Sequence, residues 1–235
     1  MKVMLLAAGE GQRMRPLTLT TPKPLLPVNE QPLVVYSLQR LAQSGLTQVV
    51  MNTAYLAEKI EQALGNGQQF GVQIQYSREL QKLETGGGIF NALPLLGNEP
   101  FLVVNSDIWC DYPFAVLEKQ KQRLQDDGKL AHLVLVPNSP HHPEGDFYLP
   151  GGRAITLSGC HEHRFTYSGI SILHPDLFKD CKPGVFSLAP LLRQAILQGK
   201  VTGELYHGEW MDIGTPDRLQ QLSHHLQASE SLGAK

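Results

Sequence analysis

Residues 3–18 read Val3-Met-Leu-Leu-Ala-Ala-Gly-Glu-Gly-Gln-Arg-Met-Arg-Pro-Leu-Thr18, an apolar run that passes directly into a loop with two glycines and two arginines. A short, continuously apolar run predicts a strand buried on both faces, and such strands belong to parallel sheets covered by helices. The small residues Ala8, Gly9 and Gly11 let backbone N–H groups approach a phosphate chain, and Arg13 offers a guanidinium fork to neutralise it. No Gly-Lys-Ser/Thr follows, so this is not a Walker P-loop. The dinucleotide fingerprint also fails, because Met14 stands where its third glycine belongs. The continuation Thr21-Pro-Lys-Pro-Leu-Leu-Pro27 places Lys23 between two prolines that hold the chain extended. A lysine so constrained serves naturally as a point charge on phosphate oxygens.

Outward from this stretch, strand and helix signals alternate. Helical periodicity covers Pro32–Ser44, Ala57–Leu64, Gly87–Leu93 and Pro113–Gln125. Strand patterns cover Thr47–Asn52, Val72–Tyr76, Phe101–Val104 and His132–Val136. Strands spaced by such helices predict an α/β fold: a mainly parallel sheet with helices on both faces. After Pro137 the texture changes to loops and short antiparallel strands. Phe165–Leu173 is again strand-like, Leu188–Gln198 helical, Val201–Asp212 one or two strands, and Pro216–Leu226 a helix with proline in its first turn. No repeat or linker divides the chain. One domain over 1–228 is expected, with a half at 1–136, a second half at 137–228, and a frayed tail at 229–235.

The 235 residues are 42% hydrophobic and 18% charged with net charge -2, ordinary for a globular protein. No block of Lys and Arg points to nucleic acid or an anionic membrane as partner. Nothing approaches the ~18 apolar residues of a membrane span, and the N-terminal apolar run is too short for a signal peptide. Cys110, Cys160 and Cys181 are odd in number and without C-x-x-C spacing, as in a reducing cytoplasm, where they would be small buried residues.

Ligands of open α/β sheets sit beyond the carboxyl ends of the strands. There, Asp107 follows Phe101–Val104 in Asn105-Ser-Asp107, and Asp212 sits in Glu209-Trp-Met-Asp-Ile-Gly-Thr215. Mg²⁺ takes hard oxygen ligands, usually one or two carboxylates plus substrate phosphates. Leu83-Glu-Thr-Gly-Gly-Gly-Ile89 opens a helix with three glycines, a costly choice unless something approaches closely.

Leu5–Leu26 resembles the signature of the sugar-1-phosphate nucleotidyltransferases, a Gly-x-Gly-x-Arg loop followed by Pro-Lys-Pro. Gln12 stands where many members have Thr, and Ser106 where glycine is common. The resemblance spans about residues 1–226 and implies the Rossmann-like nucleotide-diphospho-sugar transferase fold with a small antiparallel insertion on the sugar side. It implies Arg13, Lys23 and Asp107 as catalytic residues and Mg²⁺ on Asp107 and Asp212. It places the nucleotide on Ala8, Gly9, Gly11, Gln12, Arg13, Lys23, Glu79, Glu84, Gly86 and Asn105. It places the sugar on Asn105, Gly145, Asp146, Tyr167 and Gly169. The Leu-Glu-Thr-Gly-Gly-Gly-Ile form is similar to the N-acetylmuramate 1-phosphate uridylyltransferase branch of cell-wall recycling. The partners implied are an NTP, here UTP, and a sugar 1-phosphate, with no nucleic acid and no membrane. The lack of a C-terminal extension leans towards a monomer. The family's Glu-Lys-Pro segment at the sugar site has no counterpart. His141, His142, His161 and His163 read as solvated loop residues. A guanylyl- or uridylyltransferase for mannose, glucose or heptose phosphate would share the phosphate and metal motifs, whereas a non-catalytic nucleotide-sugar sensor of the same fold could lose Lys23 or a metal aspartate without penalty, and all are present here.

Overall fold

The computed structural model describes the backbone of residues 1–233 and the side chains of residues 1–229. In chain order the elements are β1 (Val3–Leu6), β2 (Pro27–Val28), β3 (Gln31–Pro32), α1 (Leu33–Gln43), β4 (Gln48–Thr53), α2 (Ala57–Leu64), β5 (Gln73–Arg78), α3 (Glu84–Leu96) and β6 (Phe101–Asn105). They continue as β7 (Ile108–Cys110), α4 (Leu117–Asp126), β8 (Ala131–Val136), β9 (Phe147–Tyr148), β10 (Arg164–Leu173), α5 (Ala189–Leu197), β11 (Val201–Leu205), β12 (Trp210–Asp212) and α6 (Pro216–Gly233).

The main sheet has the order β11-β8-β10-β6-β1-β4-β5, with β9 pairing β10 off this path. β1 is parallel to β4 and β6, β4 to β5, and β8 to β11. Only β10 on this path runs against its neighbours β6 and β8. Alternation along each strand feeds two cores. Val3, Leu5, Val49, Met51, Leu102 and Val104 face α1, α2 and α4. Met4, Val50, Phe101 and Val103 face α3 and α5. Each fully buried aliphatic side chain contributes about 1.5–3 kcal/mol, so the doubly buried centre of the sheet fixes its register strongly.

β12 pairs antiparallel with β7 in a separate ribbon. Trp109, Ile213 and Leu222 pack there with Val28 and Leu33 in a third apolar cluster. This cluster docks α6 and seats the end of β12 beside the end of β6. Ile213 N–H donates to the Asp107 carbonyl at 2.8 Å.

Several expectations need correction. Pro22 is extended, yet Lys23 begins a 3-10 turn over Lys23–Leu25. Helix α3 starts at Glu84, three residues before the expected start, and contains all three glycines. The chain expected to fray from Ser229 stays helical to Gly233, and Ala234 and Lys235 lie outside the described residues. Cys110 is buried as expected, whereas Cys160 is exposed. Among the described residues no helix is long and apolar enough to cross a membrane.

The glycine run is explained by contacts within the chain. A side chain at Gly86 would meet the Phe186 ring at 2.6 Å, and one at Gly87 would meet the Gly184 carbonyl oxygen at 2.3 Å. Gly87 N–H donates to Phe186 O at 2.9 Å and Phe186 N–H to Leu83 O at 3.2 Å, stitching the 184–186 loop onto α3. Gly87→Ala gains helix propensity of about 1 kcal/mol, but a backbone oxygen cannot rotate out of a 2.3 Å contact. Overpacking, about 1–3 kcal/mol, therefore wins. Thermal unfolding should show a melting temperature lower by several degrees; an unchanged or raised value would sink this account of the glycine.

Candidate active site

A cavity of about 200 Å³ opens at the carboxyl ends of β1, β4, β5 and β6. Its wall includes Ala8, Gly9, Lys23, Glu79, Glu84, Asn105 and Asp107, so seven of the expected site residues meet there. Gly11 supplies the turn that makes this possible. It sits at φ 61, and a side chain on it would meet Thr18 at 2.9 Å and Lys23 at 3.1 Å. The Thr18 hydroxyl donates to Gly11 O at 2.8 Å, closing the glycine loop on the 3-10 turn Leu17–Leu19 that precedes the Pro-Lys-Pro segment. Lys23 is 8% exposed, and its ammonium reaches Asp107 Oδ2 at 2.6 Å. Ser106 does not adopt positive φ, so a side chain at this position carries no backbone strain.

Asp212 lies on the wall of a second cavity of about 310 Å³, with Pro137, Ser139, His141, Trp210 and Arg218. Its carboxylate pairs with the Arg218 guanidinium. The two aspartates thus face different cavities, joined by the β7–β12 ribbon and the Ile213–Asp107 hydrogen bond. The Asp107 and Asp212 side chains are 36% and 32% exposed. Arg13 lines neither cavity but lies beside Gly214, two residues beyond Asp212. Gln12 is exposed and bonded to Glu10 at 2.8 Å.

The loop before α3 is held by a buried pair. Glu79 and Asn52 are 7% and 3% exposed. Asn52 Oδ1 accepts from Ala7 N–H at 2.9 Å, and Asn52 Nδ2 donates to Glu79 Oε1 at 2.6 Å. Glu79 Oε2 accepts from Leu83 N–H at 3.0 Å. Each carboxylate oxygen therefore already accepts one bond from within the chain. Glu84 takes φ 60, a conformation that costs a non-glycine residue about 1–2 kcal/mol. Gly86 is turned towards Phe186 and does not line the cavity.

On the expected sugar side, Gly169 packs against Asn105, which a side chain there would meet at 2.9 Å. Gly145, Asp146 and Tyr167 line neither cavity. Asp146 accepts from Tyr167 N–H at 2.8 Å and contacts His142 Nε2 at 3.2 Å, so it clamps the insertion to β10. The Tyr167 hydroxyl meets Ser171 at 2.8 Å, and burial pushes its phenol up to about 12. Asn52 and Arg218 are the residues that sequence reasoning missed. Asn52 had one signal, a polar residue closing an apolar strand; Arg218 had none beyond its place in a helical turn.

A family model described as nucleotidyl transferase matches residues 2–145. The N-acetylmuramate alpha-1-phosphate uridylyltransferase of Neisseria meningitidis serogroup B is 47% identical over 223 residues, covering 94% of this chain and 96% of that one. A mannose-1-phosphate guanyltransferase of Aspergillus fumigatus is 32% identical over 92% of this chain and 61% of its own length. A Bacillus anthracis structure assigned as a glucose-1-phosphate thymidylyltransferase superposes with a TM-score of 0.81 at 22% identity, over 95% of this chain and 94% of that one. The strand-end cleft, the glycine loop closed on Lys23 and a family match across most of the sheet agree: this chain belongs to the nucleotidyl transferase family.

Proposed function

We propose that the chain transfers UMP from UTP to N-acetylmuramate 1-phosphate, giving UDP-N-acetylmuramate and pyrophosphate. The observation that carries this reading is the 47% identity, along nearly the whole of both chains, to a uridylyltransferase for that acceptor. An oxygen of the acceptor phosphate attacks the α-phosphorus in line, and the bond from that phosphorus to the bridging oxygen breaks. Its electron pair leaves on pyrophosphate. The attacking phosphate is already anionic, so no general base is needed, and the protein's task is positioning and charge neutralisation.

Backbone around Ala8, Gly9 and Gly11 cradles the triphosphate, with Lys23 and Arg13 supplying positive charge. Asp107 and Asp212 would hold Mg²⁺. Among the described residues no group of three or more His, Cys, Asp or Glu stands ready for a metal. Two partly exposed carboxylates suit a cation that completes its shell from phosphates and water. When bound, Mg²⁺ neutralises charge on the phosphoryl oxygens. Lys23 pairs with Asp107 and Arg218 with Asp212. Glu84 and the backbone near it face the base, and Asn105 stands between base and sugar.

The test is pyrophosphate release from a panel of UTP and GTP crossed with N-acetylmuramate 1-phosphate and mannose 1-phosphate. UTP with N-acetylmuramate 1-phosphate should turn over fastest, and chelation of divalent cations should stop it. Faster reaction of GTP with mannose 1-phosphate would favour the guanyltransferase reading instead. Nucleotide binding without any release of pyrophosphate would leave a sensor.

A further inference from the structure

Arg218 belongs to the first turn of α6, a segment expected as a helix but not as part of the site. Its Nη1 pairs with Asp212 Oδ2, and its Nε lies 3.4 Å from the Thr215 hydroxyl. Its Nη2 has no hydrogen-bond partner among the described residues, and neither does the Arg13 guanidinium. Both free ends converge on one place. The point where a Gly214 side chain would begin lies 2.7 Å from Arg218 Nη2, 3.1 Å from Arg13 Nη2 and 3.1 Å from Asp212 Oδ1. A side chain at Gly214 would have to push the ends of these side chains aside.

Two guanidinium groups so close repel each other, and one carboxylate offsets only one of them. The corner keeps a net positive charge, with donors on two forks uncommitted. It adjoins the loop in which Arg13 sits, away from the base loop at Glu79–Glu84. The geometry points to Arg218 as a second pyrophosphate-binding residue, which with Arg13 holds the β- and γ-phosphates of the NTP. This rests on the transferase reading above. As the bond from the α-phosphorus to the bridging oxygen breaks, negative charge grows on that oxygen of the departing pyrophosphate, and two forks can receive it in bidentate fashion. If Mg²⁺ engages Asp212, Arg218 loses its internal counter-charge at the moment the anion supplies another.

Calorimetric titration of the full chain in Mg²⁺ buffer with pyrophosphate, UTP and UMP separates the possibilities. Arg218→Gln should raise the Kd for pyrophosphate and UTP roughly tenfold or more, as loss of a charge-assisted contact does, and leave UMP within about twofold. Arg218→Lys should fall between, since an ammonium keeps the charge without the fork. Weakening of UMP to the same degree as pyrophosphate would reduce Arg218 to a structural prop for Asp212. Unchanged pyrophosphate affinity, with N-acetylmuramate 1-phosphate weakened instead, would move Arg218 to the acceptor; either result overturns the inference. Wild-type protein that binds UMP but neither pyrophosphate nor UTP would also overturn it. Binding of every ligand as proposed, without turnover in the panel above, would instead count against the transferase reading alone.

Discussion

Asp107→Asn is expected to lower turnover about a thousandfold while moving the melting temperature by only a few degrees. The substitution keeps shape and removes charge. Its amide oxygen can still accept from the Lys23 ammonium, so the mostly buried cation at 2.6 Å is not orphaned. The Asp107 side chain is 36% exposed, which screens the pair; the stability cost is about 1 kcal/mol, equivalent to about 2–4 °C. Catalysis is a different matter. The Asp107 carboxylate would act through the Mg²⁺ it holds, and loss of one such electrostatic stabiliser of phosphoryl charge typically costs 10²–10³-fold. Lys23→Ala should fall in the same range for the phosphate side, its carboxylate partner turning to solvent. Single-turnover pyrophosphate release together with a thermal melt distinguishes the two effects. Turnover near wild type in either folded variant would remove Lys23 and Asp107 from the chemistry.

What could be read from the sequence and what could not divide along physical lines. β1 and β6 were legible as almost wholly apolar runs, as a strand buried on both faces must be, and β4 through its Val49–Met51 centre. The direction of β10 was not, since an alternating pattern reads the same in parallel and antiparallel pairing. Lys23 and Asp107 were expected together as a phosphate-binding cation and a metal ligand, and the structure brings their side chains into contact. Asp212 was legible as a carboxylate at a strand end, but the ribbon that carries it, β7 with β12, was not, because Ile108–Cys110 is too short to show a period. The start of α3 was misjudged because glycine lowers helix propensity locally, while the loop at 184–186 that compensates lies a hundred residues away. The sugar side was the least legible part. Asp146 ties the insertion to β10 through Tyr167 N–H, while the Tyr167 hydroxyl bonds Ser171 within the same strand. Nothing in local composition separates a polar group that faces a ligand from one that faces its own backbone.

Glu79 marks the same distinction within the cleft and carries the second large effect. Its carboxylate was expected to read the base, yet one oxygen accepts from Asn52 and the other from Leu83 N–H. Through Asn52 and Ala7 N–H the chain of bonds ends on the phosphate loop. Glu79 and Asn52 thus tie the loop after β1 to the loop before α3, which supports a positioning role for the pair. Glu79→Gln has the same shape but one fewer acceptor and a new donor, so a donor must face either the Asn52 amide or Leu83 N–H. A buried donor left without a partner costs about 1–3 kcal/mol, and Asn52→Leu, which strands Ala7 N–H and a Glu79 oxygen together, about twice that. In both variants the loop before α3 loses its anchor. We expect KM for UTP to rise roughly tenfold, as a contact worth that energy is lost, with a smaller change in kcat. The preference for UTP over CTP and GTP should stay as in wild type, because the base contacts themselves are untouched. A direct reader of the base would behave otherwise: Glu79→Gln would change which nucleotide is preferred while Asn52→Leu would not. Steady-state constants for three nucleotides on the two variants decide between the roles, and a switch in base preference confined to Glu79→Gln would return Glu79 to the base.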